Sequence, residues 1–193
     1  LLVAVGTVTS ISLFVDRLQG ALAQESASFL AADRQISSSR EIPPSFFAKA
    51  QEKGLQTAQA LVFQSMIYGG EYNQLVSVKA VDGGYPLRGE LIVADQPFGE
   101  GYAVNNIPQP GEIWLDSRLF PALGVGLGDL VEVGMAELRI GGVLVAEPDR
   151  GGSMFDLGPR LLMNLQNVPE TGVVQPGSRL SLIHISEPTR HCT

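Results

Sequence analysis

Histidine and cysteine are scarce in this chain, and their positions limit what they can do. The 193 residues contain two histidines and one cysteine, and these three residues (His184, His191 and Cys192) all lie after residue 183. Residues 1–179 therefore contain no Ser-His-Asp or Cys-His nucleophile, no zinc site built on His or Cys, and no disulfide.

Positive charge is also scarce. Lys and Arg total 13 against 20 Asp and Glu, which gives a net charge of −7 and a pI near 4.8. An acidic surface repels nucleic acid, and the basic residues form no obvious patch, so we predict no nucleic-acid partner. Because 45% of the residues are hydrophobic, the composition is that of a globular protein with a core of its own.

The C-terminal segment does not resemble a natural protein terminus. Residues 180–190 read LSLIHISEPTR. All eleven match the translation of a transposase-type sequencing adapter, so we predict that residues 180–193 are non-native and leave them out of the fold prediction. The alternative is a natural strand from Leu180 to Ile185 followed by a polar terminus.

The N-terminal segment is the longest uncharged apolar run. Residues 1–15 read LLVAVGTVTSISLFV, and Asp16 and Arg17 end the run. A membrane-spanning helix needs about 20 apolar residues, so we predict a partial transmembrane helix at 1–15 and a stalk helix at 16–32. Two alternatives remain open: a buried core helix, and a signal peptide cleaved at the A-x-A pattern Ala21–Ala23.

Residues 33–179 predict a mixed, α+β domain whose C-terminal half is rich in strands. A helix is predicted from Pro43 to Lys53, ending at Gly54, and another, capped by Asp116 or Ser117, that runs to about Leu123. The loops predicted between these elements are 96–111 and 147–156. Apolar β-prone segments predict strands at 31–38, 57–68, 72–81, 90–94, 113–115, 130–133, 136–140, 143–146 and 161–163, and a short helix near 165–168.

Two glycine-rich segments could be taken for ligand sites. Residues 124–128 read GVGLG, but the segment follows a helix and precedes strands, which is the reverse of a dinucleotide-binding loop, so we predict a turn. The loop 147–156 holds Glu147, Asp149 and Asp156. Its oxygens could bind a hard cation, but the spacing fits no calcium loop, and we predict a solvated surface loop.

Nucleophilic and carboxylate sites are equally weak. Ser65 and Ser153 lack a histidine, and none of the lysines Lys49, Lys53 and Lys79 has the Ser-x-x-Lys spacing of a dyad. No carboxylate pair stands in an apolar sequence setting, as a glycosidase would need. Trp114 and Tyr102 could line a ligand groove, but aromatics in and beside strands usually belong to the core.

The order of the segments resembles FtsX-like, or MacB-type, ABC transporter permeases, in the large-permease branch linked to export of lysophospholipase-like esterases. The segments that carry the resemblance span nearly all of residues 1–179. They are Val15–Arg17, Ala32–Asp33, Gln74–Val81, Gly84–Gly89, Trp114–Asp116, Arg118–Leu119, Gly128–Asp129, Glu147–Gly151, Pro159–Met163 and Gln175–Arg179.

The resemblance implies a MacB-type periplasmic core that follows a first membrane helix in the bacterial inner membrane, with residues 16–179 outside the cytoplasm. It implies a separate cytoplasmic ATPase that binds ATP, a second permease copy, and a lipid-linked or protein substrate. Such a domain transmits force and makes no bonds, so we predict no enzyme activity and no catalytic, cofactor-binding or metal-binding residue. The alternatives are a secreted binding protein released after Ala23 and a carboxylate-dependent envelope hydrolase.

Overall fold

A computed structural model of the chain describes residues 14, 15, 17, 34–38, 42–149, 158–173 and 181–188. Within these ranges, no helix has both the length and the apolar character that a membrane span requires. Phe14, Val15 and Arg17 have helical backbone. The rest of the predicted membrane helix, the rest of the stalk and the Ala21–Ala23 cleavage pattern lie outside the described residues and stay predictions.

The described residues form one mixed sheet with a few short helices, which confirms the predicted α+β class. The strands are β1 (Arg34–Ser38), β2 (Leu55–Gly69), β3 (Tyr72–Val81), β4 (Leu91–Ala94), β5 (Tyr102–Val104), β6 (Glu112–Asp116), β7 (Leu130–Val133), β8 (Ala136–Ala146), β9 (Arg160–Asn164) and β10 (Ser181–Pro188). The helices are α1 (Pro44–Glu52), α2 (Leu119–Leu123), α3 (Val168–Thr171) and a 3₁₀ turn (Leu165–Asn167).

Six of the strands close into a ring. The order β2-β3-β9-β6-β8 runs through the sheet, and β7 pairs with both β8 and β2. The β3–β9 and β6–β8 pairs are parallel, whereas the other pairs of the ring are antiparallel. Only two residue pairs join β7 to β2, namely Val133 with Ile67 and Glu132 with Tyr68.

The main core fills the inside of this ring. Because side chains alternate along a strand, every second residue points inward. On β3 these are Val76, Val78 and Ala80, and on β9 they are Leu161 and Met163. Together with residues of the other ring strands and of α2 they form one buried cluster.

A second apolar cluster lies on the outer face of the same strands. Trp114 of β6 and Leu162 of β9 pack there with Tyr85 and with Leu91 and Val93 of β4. The opposite alternation of β3 places Ser77 and Lys79 on this outer face, and both are buried there. Two polar residues of a ring strand thus enter a desolvated layer.

The predicted strand bounds hold best for long apolar segments. Strand β3 has the predicted bounds, β2 extends the predicted 57–68 by two residues at the start and one at the end, and α1 falls inside the predicted 43–53. Gly54 follows α1 with φ +68°, a conformation that glycine adopts readily.

Three local predictions were wrong. Loop 96–111 contains the short edge strand β5. Helix α2 begins at Leu119, and the Asp116 carboxylate accepts a hydrogen bond of 3.0 Å from the backbone N–H of Arg118 without capping the helix. Residues 136–146 form one strand, where we predicted two strands joined by a glycine turn.

The glycines of β8 have another role. The pairing register with β6 shifts between Ile113 and Trp114, so that Trp114 lies opposite Gly142. A side chain at Gly142 would come within 2.9 Å of Trp114 Cδ1. Gly142 therefore makes room for an indole in a continuous strand.

The backbone of 181–188 runs as strand β10 between β1 and β2, with Leu182 opposite Leu61. The non-native origin of residues 180–193 concerns the coding DNA, and it stays a prediction.

Candidate functional site

The candidate site is a buried ionic cluster formed by Lys79, Tyr85, Glu147, Asp149 and Arg160. Both basic residues come from the outer face of the ring. Lys79 lies on β3, and Arg160 begins β9 directly opposite Ser77 of β3. The two cations are held on neighbouring, parallel strands.

Lys79 makes most of the contacts in the cluster. Its Nζ lies 2.5 Å and 2.6 Å from the two carboxylate oxygens of Asp149 and donates to the Tyr85 hydroxyl at 2.8 Å. It is also 3.2 Å from Glu147 Oε2. Only 2% of Lys79 is exposed, so this ammonium has exchanged water for three protein partners.

Arg160 forms the other basic half of the cluster. Its Nε lies 2.6 Å from Glu147 Oε1, and its Nη1 is 3.4 Å from the Ser77 hydroxyl. Arg160 and Glu147 are both buried. Glu147 therefore lies between the two cations, with one oxygen facing each.

Tyr85 completes the cluster from the loop that follows β3. Its hydroxyl donates to Asp149 Oδ1 at 2.5 Å, and its ring centroid lies 4.4 Å from Lys79 Nζ. Burial raises the pKa of Tyr85 well above its ordinary value, and the negative charges of Asp149 and Glu147 raise it further. The phenol is therefore a neutral hydrogen-bond donor at any physiological pH.

The two carboxylates reach the cluster from a turn that follows the end of β8. Between them, Pro148 lies against Gly89, whose φ is +77°. A side chain at Gly89 would come within 2.5 Å of Pro148 Cβ. Gly89 thus lets the segment 147–149 lie close to the loop that carries Tyr85.

The charges of the cluster balance, because two cations face two carboxylates in a desolvated layer. Such a cluster is destabilised strongly when one partner is removed, since a buried charge is then left uncompensated. The Lys79 ammonium is held in ion pairs, so it is not free to act as a general base. This arrangement is suited to fixing backbone segments and to recognising charge rather than to bond chemistry.

The first residues of the acidic loop were assigned wrongly from the sequence. We predicted a solvated loop at 147–156, but Glu147 is 6% exposed, and the Asp149 side chain is also buried. Their carboxylate oxygens are paired with Lys79 and Arg160, so these oxygens are not available to bind a metal ion. Arg150 and Asp156 lie outside the described residues.

Sequence reasoning missed the cluster because no local pattern marks it. Lys79 was considered only for a serine dyad, and neither Tyr85 nor Arg160 was considered as a site residue. One signal was present: the segments Gln74–Val81, Gly84–Gly89, Glu147–Gly151 and Pro159–Met163, which carry the family resemblance, supply every member of the cluster.

Of the other candidates, 124–128 and Trp114 behave as predicted, whereas Tyr102 lies at the surface and does not belong to the core, and Ser153 lies outside the described residues. Gly124 ends α2 with φ +66°, and the Asp129 carboxylate accepts the Gly126 N–H at 2.7 Å, so 124–128 is a helix-to-strand turn. Trp114 is a core residue, as expected. Tyr102 is half-exposed and donates to Asp95 Oδ1 at 2.8 Å. The Ser65 hydroxyl donates to the Met66 carbonyl oxygen.

Comparison with known proteins shows what this chain is similar to. No protein-family model matches the sequence. Over 178 residues, 92% of its length, the chain is 42% identical to the uncharacterized ABC transporter permease YbbP of Escherichia coli (strain K12). This chain is related to ABC transporter permeases. It spans 21% of the length of YbbP.

One solved structure supports the fold. The extracellular domain of the noncanonic ABC-type transporter YknZ from Gram-positive bacteria superposes with a TM-score of 0.52 at 13% identity, covering 75% of this chain and 72% of that one. The periplasmic region of MacB from Actinobacillus actinomycetemcomitans gives a TM-score of 0.45 at 14% identity, covering 72% of this chain and 61% of that one. The fold assignment rests on the YknZ domain.

Proposed function

We propose that this chain is the extracytoplasmic part of a bacterial ABC transporter permease subunit. The observation that carries the proposal is the 42% identity with YbbP over 92% of the chain. The likeness of the fold to an extracellular transporter domain supports the same placement. In this proposal, residues 1–15 belong to a membrane helix, 16–32 to a stalk, 33–179 to the domain outside the cytoplasm, and 180–193 to a non-native tail.

The proposed mechanism is mechanical. A separate cytoplasmic ATPase hydrolyses ATP, and paired permease copies pass the resulting movement through their stalks to the outer domains. There it moves or extracts a lipid-linked or protein substrate. The buried cluster supports a role without bond chemistry, because its cations and carboxylates are engaged with one another.

Cysteine labelling tests the placement of the domain. Residues 1–179 contain no cysteine, so a single Cys introduced there is the domain's only thiol once cysteines elsewhere in the full-length protein are replaced by serine. Met135 is 81% exposed, and Leu162 is fully buried. We expect a membrane-impermeant maleimide to label Met135→Cys in intact spheroplasts, and Leu162→Cys only after denaturation.

Two other outcomes would contradict the proposal. Labelling of Met135→Cys only after lysis would place the domain in the cytoplasm. A soluble periplasmic product that begins at Gln24 would identify the secreted binding protein instead. A separate experiment tests the coupling between ATP hydrolysis and the permease. ATP hydrolysis in proteoliposomes should require both the full-length permease and its ATPase.

A further inference from the structure

The two halves of the ionic cluster differ in how the backbone holds them. Lys79 and Arg160 lie on paired ring strands, whereas Glu147 and Asp149 lie beyond the end of β8 in a turn. The cations are therefore fixed by the sheet. The carboxylates are held by the cations, by the hydrogen bond from Tyr85 to Asp149 and by the contact of Pro148 with Gly89.

The fixed half has the chemistry of an oxyanion site. The Lys79 ammonium, the Arg160 guanidinium and the Tyr85 hydroxyl are directed at the same carboxylates from three sides. Arginine and lysine together are the usual protein ligands for phosphate, and a neutral phenol adds a directed donor. A phosphate monoester carries a charge of about −1.5 to −2 at neutral pH, so a single phosphate can replace two carboxylates.

Glu147 is held by ion pairs with both cations. Its two buried oxygens lie 3.2 Å from Lys79 Nζ and 2.6 Å from Arg160 Nε. Its position therefore depends on these two cations, and an anion that binds them in its place would release it.

We propose that Lys79, Tyr85 and Arg160 form a phosphate-binding site, and that Glu147 and Asp149 are built-in competitors which the phosphate displaces. The inference is independent of the transport function, because it rests only on the geometry of the cluster. The phosphate can be free or part of a lipid head group, since both present the same oxygens.

Gly89 offers a way to open the site without changing its charges. In Gly89→Ala the new methyl group would clash with Pro148 and push the segment 147–149 away from Lys79 and Arg160. Gly70→Ala is the matched control, because Gly70 also has a positive φ (+59°) but no atom lies within 4 Å of a side chain there. The two variants share the backbone strain, and only the first displaces the carboxylates.

The test is a thermal-shift titration of the whole chain with inorganic phosphate, against sodium chloride at equal ionic strength. Suppose that Glu147 and Asp149 are displaced in about 1–10% of wild-type molecules. The apparent Kd of Gly89→Ala for phosphate is then about 10–100-fold lower than that of the wild type. Gly70→Ala should respond as the wild type does. Adding Lys79→Met to Gly89→Ala should abolish the gain in phosphate affinity.

A second arm separates the two sources of phosphate. Dihexanoyl phosphatidic acid is compared with inorganic phosphate, and dihexanoyl phosphatidylcholine serves as the lipid control. Binding of phosphatidic acid at least tenfold tighter than inorganic phosphate would indicate a lipid head group. Equal affinities would indicate a free phosphate.

Hydrogen exchange of the wild type provides a readout that does not depend on a variant. Phosphate should speed exchange in residues 145–149 and leave β3 and β9 protected. The proposal is overturned if phosphate and chloride act alike on all variants, or if adding Lys79→Met leaves phosphate binding intact. Should Gly89→Ala fail to fold, Glu147→Gln with Asp149→Asn removes the same competitors and must show the same gain.

Discussion

Tyr85 and Asp149 are 64 residues apart in the sequence and are joined by a hydrogen bond of 2.5 Å from the phenol to the carboxylate. The bond links the loop after β3 to the turn after β8. Because Lys79 donates to both residues, the three groups form a closed triangle inside a desolvated layer.

Tyr85→Phe should destabilise the chain by about 1–3 kcal/mol, because Asp149 and Lys79 each lose a buried hydrogen-bond partner. Urea unfolding followed by fluorescence measures this. Tyr102→Phe is the matched control, since it removes an exposed phenol that also donates to a carboxylate, and it should change stability by less than about 0.5 kcal/mol. Equal effects of the two changes would mean that the triangle adds nothing to the free energy of unfolding.

Alkaline pH should weaken the fold through Tyr85. Its pKa is raised in the folded state by burial and by the nearby carboxylates, so the folded chain keeps a proton that the unfolded chain releases. The stability that Tyr85 contributes is fully present below the unfolded pKa of about 10 and is lost as the pH rises above that value. The free energy of unfolding, measured from pH 8.5 to pH 11.5, should fall more steeply for the wild type than for Tyr85→Phe. Parallel curves would contradict a raised pKa.

Lys79→Met should be among the most damaging single changes, at about 3–5 kcal/mol, because it leaves buried carboxylates without their main counterion. Lys49→Met, on the exposed face of α1, removes the same charge and should cost less than about 0.5 kcal/mol. Chemical denaturation of both variants gives the comparison. A small loss for Lys79→Met would show that the cluster contributes little to folding.

Gly142→Ala should destabilise by about 1–3 kcal/mol, because the new methyl group would press on the Trp114 indole in a packed layer. Gly83→Ala meets no atom within 4 Å and provides the control. Differential scanning calorimetry on both variants measures the change in Tm. An unchanged Tm for Gly142→Ala would mean that Trp114 can move aside.

The sequence was sufficient where a signal is local. The alternation along 72–81 gave β3 its bounds, and the glycine after α1 marked the end of that helix. The continuity of β8 through Gly142 could not be predicted from the strand pattern. A pair of glycines is typical of a turn, and only the structure shows that the Trp114 indole needs this space. The edge strand β5 has three residues, and its pattern is too short to stand out from the loop around it.

The cluster was beyond local reasoning for a different reason. Glu147 and Asp149 follow the end of a strand in a glycine-rich acidic segment, which is the usual composition of a solvated loop. They are buried because the parallel pairing of β3 with β9 places Arg160 opposite Ser77, two residues from Lys79, and creates a positive site for them. This pairing joins residues 83 positions apart.

The closure of the six-strand ring has a mechanical consequence. Strand β7 is joined to β2 through only two residue pairs, whereas β2 and β3 are joined through ten. A pull that separates these strands would therefore part the β2–β7 seam long before the β2–β3 hairpin. The β2–β7 pairing is the shortest in the ring, so tension applied across it would open the ring there and leave its longest hairpin intact.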